Sequence, residues 1–458
     1  MNAIEALAEF VATTRLAAIP DDVADRASLM IADCVGCIVA GNAVPEVRRL
    51  VGSHRGRGPC EATVIGTGIA LSREAAAFVN GIAGTWYDLD EGNLSTRTHA
   101  AIQIVPAVLA EAEACGLSGS AALESLILAY EAGARLWRAT TVRHAVHPHG
   151  TFGPLAAALA LGRLRGLSPP DLARGASMAL TLGIAASRRT LNDGATIRNT
   201  YTGFSGRHGF EALTLLEAGF SGETDAAASI LGSIYGSSFD ATAAIADLGH
   251  TWWLRRNYFK RFASVRYAHG PLDLIDELCR RLGSRLCESN IERIDIETYF
   301  FATTIGQQAV LNPFGCRFSI PMLIAARIVQ GPSSMTDDGG RAFADPVVRE
   351  LASRIFIVED KAATNAYPDR QPTRIAVMLR GGGTERIGSE RILGESDYPL
   401  PAGAMMRKFE ELVALGWSGG AGAAWQDLLN IRNGTDIGHL MGGWRKLAKA
   451  TEIEEKPS

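Results

Sequence analysis

The chain has 458 residues, 47% hydrophobic and 21% charged, with a formal net charge of −4. Such a length suits two or three domains with a sizeable core, and such a composition excludes a disordered chain. The slight negative charge gives no reason to expect nucleic acid or an anionic membrane as partner. No apolar run is long enough to span a bilayer, the N-terminus lacks the basic region of a signal peptide, and seven scattered cysteines fit free thiols in the cytoplasm.

Residues 3–17 read as an amphipathic helix, with Ile19-Pro20-Asp21-Asp22 as its stop and the cap of the next. The run from Val23 to Gly41 is apolar nearly all round, which predicts a central helix. Its Cys34 and Cys37 have no second Cys or Cys/His pair at ligand spacing, so they read as packing rather than as a metal or redox element. Ala62 to Gly66 is a short strand-like turn, and a helix follows from Ser72. Between two Ala-rich helical runs, residues 71–81 and 104–113, lies the densest polar stretch of the chain, Trp86 to His99. It places Asp88, Asp90 and Glu91 within four residues. Buried charge costs on the order of several kcal/mol per ion unless paired, so the stretch is either a solvated loop or a site.

A further helix begins after Gly116-Leu117-Ser118-Gly119-Ser120 and runs to about Trp137. His144, His147 and His149 then crowd one loop before a helix from Leu155 to Arg165, and another spans Asp171 to about Ala186. Arg188 to Gly209 reads as irregular, and Arg207 to Ala218 as a helix closed by Gly219. Helices this rich in Ala and Gly predict close all-α packing.

Tyr267-Ala268-His269-Gly270-Pro271-Leu272-Asp273 opens one more helix, after which period-two patterns appear. Ile291 to Tyr299 alternates, Arg354 to Val358 is a short strand, and residues 374–380 and 384–387 form a hairpin about Gly381-Gly382-Gly383. Helices lie near 318–330 and 345–353. Strands and helices in irregular order predict a small α+β domain. From about Ala402 the pattern is helical again. The expected fold is mainly α: a large all-α domain from residues 1–268 and 405–458, with a smaller inserted α+β domain at 269–404. The polar tail, Lys449 to Ser458, is expected to fray.

Imidazole titrates near neutral pH, so the nine His residues are the first candidates for general acid–base work. A metal site in the 144–149 loop would need acids that are remote in sequence, and none is expected. The cysteines lack an iron–sulfur spacing, and there is no Gly-x-Ser-x-Gly nucleophile elbow. Lys260, bracketed by Phe259 and Phe262, is either snorkelling or partly desolvated for chemistry. Arg198, in an irregular segment, suits a carboxylate because its fork is bidentate.

Motifs in order along nearly the whole chain carry a resemblance. They are Asp33-Cys34-Val35-Gly36, Ala77-Phe78-Val79-Asn80-Gly81, Asp88-Leu89-Asp90-Glu91 with Thr98-His99, and Val105-Pro106-Ala107. His147 with Gly150-Thr151-Phe152-Gly153, Gly203 to Gly209, and Phe259-Lys260 with His269 and Asp273 complete the set. Together they resemble the MmgE/PrpD family, which includes 2-methylcitrate dehydratase and cis-aconitate decarboxylase. The resemblance implies a homodimer whose site lies between the two domains and uses no metal or organic cofactor. It implies Asp88, His99, His147 and Lys260 as catalytic residues, and Thr98, Arg198, Tyr201, His269 and Met322 at substrate-binding positions. The chain departs from the family pattern with Gly92 for a Thr, Arg198 for a Lys, Tyr201 for a His and Met322 for a Tyr.

The expected activity is a lyase acting on a small di- or tricarboxylic acid by removal of a proton alpha to a carboxylate. Arg198 and Lys260 would hold carboxylates. One of His99 and His147 would take the proton and the other would protonate a departing hydroxyl, with Asp88 orienting an imidazole. Loss of hydroxyl gives a dehydratase, return of the proton an epimerase, loss of CO₂ a decarboxylase. The rival expectation is a non-catalytic carboxylate-binding protein.

Overall fold

The computed structural model describes residues 1–450. The tail expected to fray lies, from Thr451 on, outside the described residues. The fold is mainly α, with one larger apolar core and one smaller. The larger draws on the chain from Ala3 to Phe259 and again from Phe409 to Trp444, so both chain ends build it. The smaller draws on Ala268 to Leu379 and contains the main sheet.

At the centre of the larger core is helix Asp21–Asn42. Asp21 and Asp22 in its first turn suit the positive end of the helix dipole, and nearly every side chain from Met30 to Asn42 is buried. It packs against helices Arg73–Gly84, Ala404–Val413 and Ala421–Leu429. Close approach depends on small residues: a Cβ on Gly41 would lie 2.0 Å from the Ala83 carbonyl oxygen. The C-terminal return is pinned by a buried ion pair, Lys408 Nζ to Asp33 Oδ1 at 2.6 Å. The same ammonium donates to the Leu89 carbonyl at 2.8 Å, so it also anchors the polar stretch. Among the described residues no single helix is long and apolar enough to cross a membrane.

The smaller part is a four-stranded mixed sheet in the order Thr384–Ser389, Thr373–Leu379, Ile291–Thr298, Ile355–Glu359. The hairpin pairs antiparallel, as its glycine tip predicts. Ile291–Thr298 pairs parallel with Ile355–Glu359, and the crossover between them carries helices Ile320–Gln330 and Pro346–Ala352. Helix His269–Leu282 packs on the hairpin strands.

Three boundaries differ from the sequence reading. The first helix stops at Thr13, and residues Leu16–Ala18 form a separate turn. The helix expected to reach Ala186 ends at Thr181, just before Gly183. The helix expected from Arg207 begins at Thr200. Its first turns lack an apolar stripe, but they are buried by backbone approach: a Cβ on Gly81 would lie 2.8 Å from Gly203 Cα. Glycine–glycine contact of this kind leaves no hydrophobic periodicity to read.

Candidate active site

A cavity of about 50 Å³ opens where the two cores meet. The larger part contributes Asp88, Arg97, His99, His147, Arg188 and Arg198. The sheet-containing side contributes Arg266, Tyr267, Tyr367 and Gln371. The polar stretch therefore forms one wall rather than a solvated loop. It is held by a two-residue ladder of Gly92–Asn93 with Asn257–Tyr258, and by the bridge between Asn93 and Thr98.

Asp88 is buried and adopts a left-handed backbone, φ 52°, a conformation that Asp tolerates better than most residues. Its Oδ1 accepts from the Arg198 guanidinium, and its Oδ2 lies 3.2 Å from Lys260 Nζ. Lys260 also donates to the Asp88 carbonyl at 2.7 Å and is wholly buried. One carboxylate thus answers two cations. Asp88 does not orient an imidazole, contrary to the sequence expectation. That place belongs to Asp90, whose Oδ2 lies 3.0 Å from His99 Nδ1. Burial alone would push the Asp90 carboxyl up, but His99, Lys260 and Arg198 outweigh it and hold it at about 2. Asp90 Oδ2 and His99 Nδ1 are close without an aligned hydrogen bond; an ionised carboxylate only accepts, so it favours the His99 proton on the facing Nδ1 and the lone pair on Nε2.

His147 has the opposite arrangement. The backbone N–H of His149 donates to its Nδ1 at 3.1 Å, which leaves the proton on Nε2. Burial, followed by the charges of Arg198 and Arg188, pushes its pKa well down. His147 is therefore neutral at physiological pH and carries a donor N–H. The two imidazoles that line the cavity are an acceptor and a donor.

Glu91 stands behind this pair. Its Oε1 accepts from the Ala101 N–H at 2.8 Å and its Oε2 from Asn257 Nδ2 at 3.0 Å. It thus satisfies one of the free amides at the start of helix Ala100–Ala114, whose own N-cap, His99, makes no capping bond. Burial, helped by Asp90 and Asp33, raises the Glu91 carboxyl to about 8.

The remaining expected residues lie at different depths. Thr98 is buried and shapes the loop through its backbone. Tyr201 packs its ring 5.6 Å from that of His147 but does not line the cavity. His269 is buried edge-on to Phe262 at 5.2 Å, also away from the lining. Met322 sits in the smaller core and borders a separate cavity of about 350 Å³. Lys260 supports Asp88 from behind.

Sequence reasoning missed Arg97 and Arg188 as site residues. Both line the cavity, each stacks 5.6 Å from the Phe301 ring, and neither has an ion pair among the described residues. Arg266, in contrast, is already paired with Glu395 and stacked on Tyr258. Nothing local marks Arg97 or Arg188 in the sequence, because only the tertiary fold brings them to Phe301. The arrangement offers two unpaired guanidiniums, an imidazole acceptor and an imidazole donor, which suits a small polyanionic substrate.

Residues 5–242 match the MmgE/PrpD N-terminal domain, and residues 262–421 match the MmgE/PrpD C-terminal domain. Two cis-aconitate decarboxylases of Aspergillus terreus are similar over 86% of this chain and 86% of their own length, at 24% identity over 433 residues and 27% over 436. The cis-aconitate decarboxylase-like protein oryM of Aspergillus oryzae is 25% identical over 327 residues, 64% of this chain and 66% of its own length. With both domain models matched across most of its length, the chain belongs to the MmgE/PrpD family.

Proposed function

We propose that the protein is a hydro-lyase for a small hydroxylated di- or tricarboxylic acid. Arg97 and Arg188, which have no ion pair among the described residues, hold the carboxylates. His99 Nε2 removes the proton alpha to a carboxylate, with Asp90 stabilising the imidazolium that forms. The His147 Nε2–H donates a hydrogen bond to the β-hydroxyl, which departs with the proton that His99 has taken, so the products are an unsaturated acid and water and both imidazoles return to neutral. The observation that carries this reading is the opposite set of the two imidazoles, an acceptor beside a donor. Elimination of water needs such a pair.

The names of the relatives favour a second reading, decarboxylation. CO₂ would leave from a substrate carboxylate, and the electron pair left on carbon would take its proton from one of the same imidazoles. A panel of small hydroxy di- and tricarboxylates and cis-aconitate, incubated with the protein in D₂O and followed by proton NMR, separates the two. New vinylic signals from a hydroxy acid support the hydro-lyase. Release of CO₂ with deuterium incorporation supports the decarboxylase. Products that form equally well with the His99→Gln variant rule out the proton-transfer mechanism in both.

A further inference from the structure

His149 takes no part in the chemistry above, yet it is wholly buried and neither ring nitrogen has a hydrogen-bond partner. Its ring lies edge-on to both His99, at 4.9 Å between centroids, and His147, at 4.6 Å. Leaving a buried polar group unsatisfied costs about 1–3 kcal/mol, so a fully buried imidazole with two idle nitrogens calls for a partner. Asp90 is equally buried, and its carboxylate, although 3.0 Å from His99 Nδ1, makes no aligned hydrogen bond. One donor atom from each of Asp90, His99 and His149 lies within 4.8 Å of the other two.

We propose that Asp90, His99 and His149 form a binding site for a first-row transition-metal ion. Two imidazoles and one carboxylate are a donor set for zinc, iron(II) or cobalt(II), and leave coordination positions free for water or an anion. Magnesium and calcium, which take oxygen ligands, do not fit it. The acid that such a site needs lies far from the histidine loop in sequence, and the fold brings it there. A further consequence rests on the proposed function. A neutral imidazole has one lone pair, and whichever His99 nitrogen binds the metal, that pair is no longer available to a substrate proton. The metal-loaded protein should therefore turn over more slowly than the metal-free protein.

The test uses the full chain, treated with chelator and then titrated with cobalt(II). Visible absorbance reports ligation, and calorimetry with zinc(II) and magnesium(II) reports affinity and selectivity. The expected result is one cobalt or zinc per chain with no comparable magnesium binding. His149→Leu should weaken zinc binding by more than the ~10–100-fold that loss of a supporting group costs, while His144→Ala leaves it unchanged. No stoichiometric uptake by the wild-type protein overturns the site, whatever the variants do. Equal uptake by a folded His149→Leu overturns it as well. Metal bound with turnover undiminished keeps the site and removes His99 as the base. Turnover without metal uptake keeps the proposed function and removes the site.

Discussion

Asp88 and Asp90 stand two residues apart, and both are buried beside the same cavity. One faces cations and the other an imidazole. Asp88 binds Arg198 and Lys260 and offsets part of their charge. Asp90 faces His99 and fixes a tautomer. The left-handed backbone at Asp88 lets two such near neighbours point to different partners. The difference teaches that in a dense acidic run the role of each carboxylate follows from what the fold brings to it, not from its place in the motif.

The largest effect should come from the imidazole side. Asp90→Asn keeps the shape but presents an amide that can offer His99 either a donor or an acceptor, and it no longer enforces the tautomer. Turnover on the substrate found by NMR should fall by about 10²–10⁴-fold, with the folded baseline unchanged by circular dichroism. A loss of only a few-fold would mean that Asp90 does not serve His99. The cation side should respond in stability instead. Asp88→Asn leaves two buried cations without their countercharge, and stability in urea should drop by about 3–5 kcal/mol. If Asp88→Asn proves stable and merely inactive, the two carboxylates are more alike than the geometry says.

Glu91, the third acid of the run, sharpens the contrast because it is held neutral. Its carboxyl is raised from 4.5 to about 8 in the folded protein. Between those values the folded state holds a proton that the unfolded chain has released. The Glu91 contribution to stability therefore falls as pH rises through that window, with a slope of roughly 1.4 kcal/mol per pH unit, and levels off above it. Glu91→Gln should remove that slope. Whatever constant cost the amide incurs against Asn257, the difference between variant and wild type should change between pH 5 and pH 8. A difference that does not vary with pH would show that Glu91 is ionised in the fold.

Much of this was legible in the sequence. The helix spanning Val23 to Gly41 and the hairpin about the triple glycine were written in periodicity and turn residues, and charge density marked the polar stretch that the fold buries as a cavity wall. The family motifs pointed to Asp88, His99, His147, Lys260 and Arg198, which the structure brings to one place. Two kinds of information were missing. Helix Thr200–Glu217 starts early because Gly203 meets Gly81, and a contact between glycines carries no apolar pattern. The choice of Asp90 over Asp88 as the His99 partner, and the arrival of Arg97 and Arg188, depend on contacts between segments far apart in sequence. Tyr201, His269 and Met322 were expected at the substrate, but they pack behind the lining or border another cavity. A motif position gives a residue's neighbourhood, whereas the size and packing of its side chain decide whether it reaches the cavity.

The smallest effect concerns the joint that keeps the two carboxylates apart. Gly92 follows the acidic run directly and pairs with Tyr258 across the two-residue ladder. A Cβ at Gly92 would lie 2.3 Å from the Tyr258 hydroxyl oxygen and 2.4 Å from its Cζ, so the glycine is set by the ring lying over it. Tyr258 is nearly fully buried and its ring also carries the stacked Arg266, so it cannot swing aside without disturbing the other wall. Gly92→Ala should cost about 1–3 kcal/mol, as overpacking does. Tyr258→Leu should cost stability by itself, yet the double variant should be more stable than the two single losses add up to. A double-mutant cycle in urea measures this, with a coupling of about 0.5–3 kcal/mol expected for residues in direct contact. Strict additivity would mean that Gly92 is free to change, and that the separation of Asp88 from Asp90 is maintained by their partners alone.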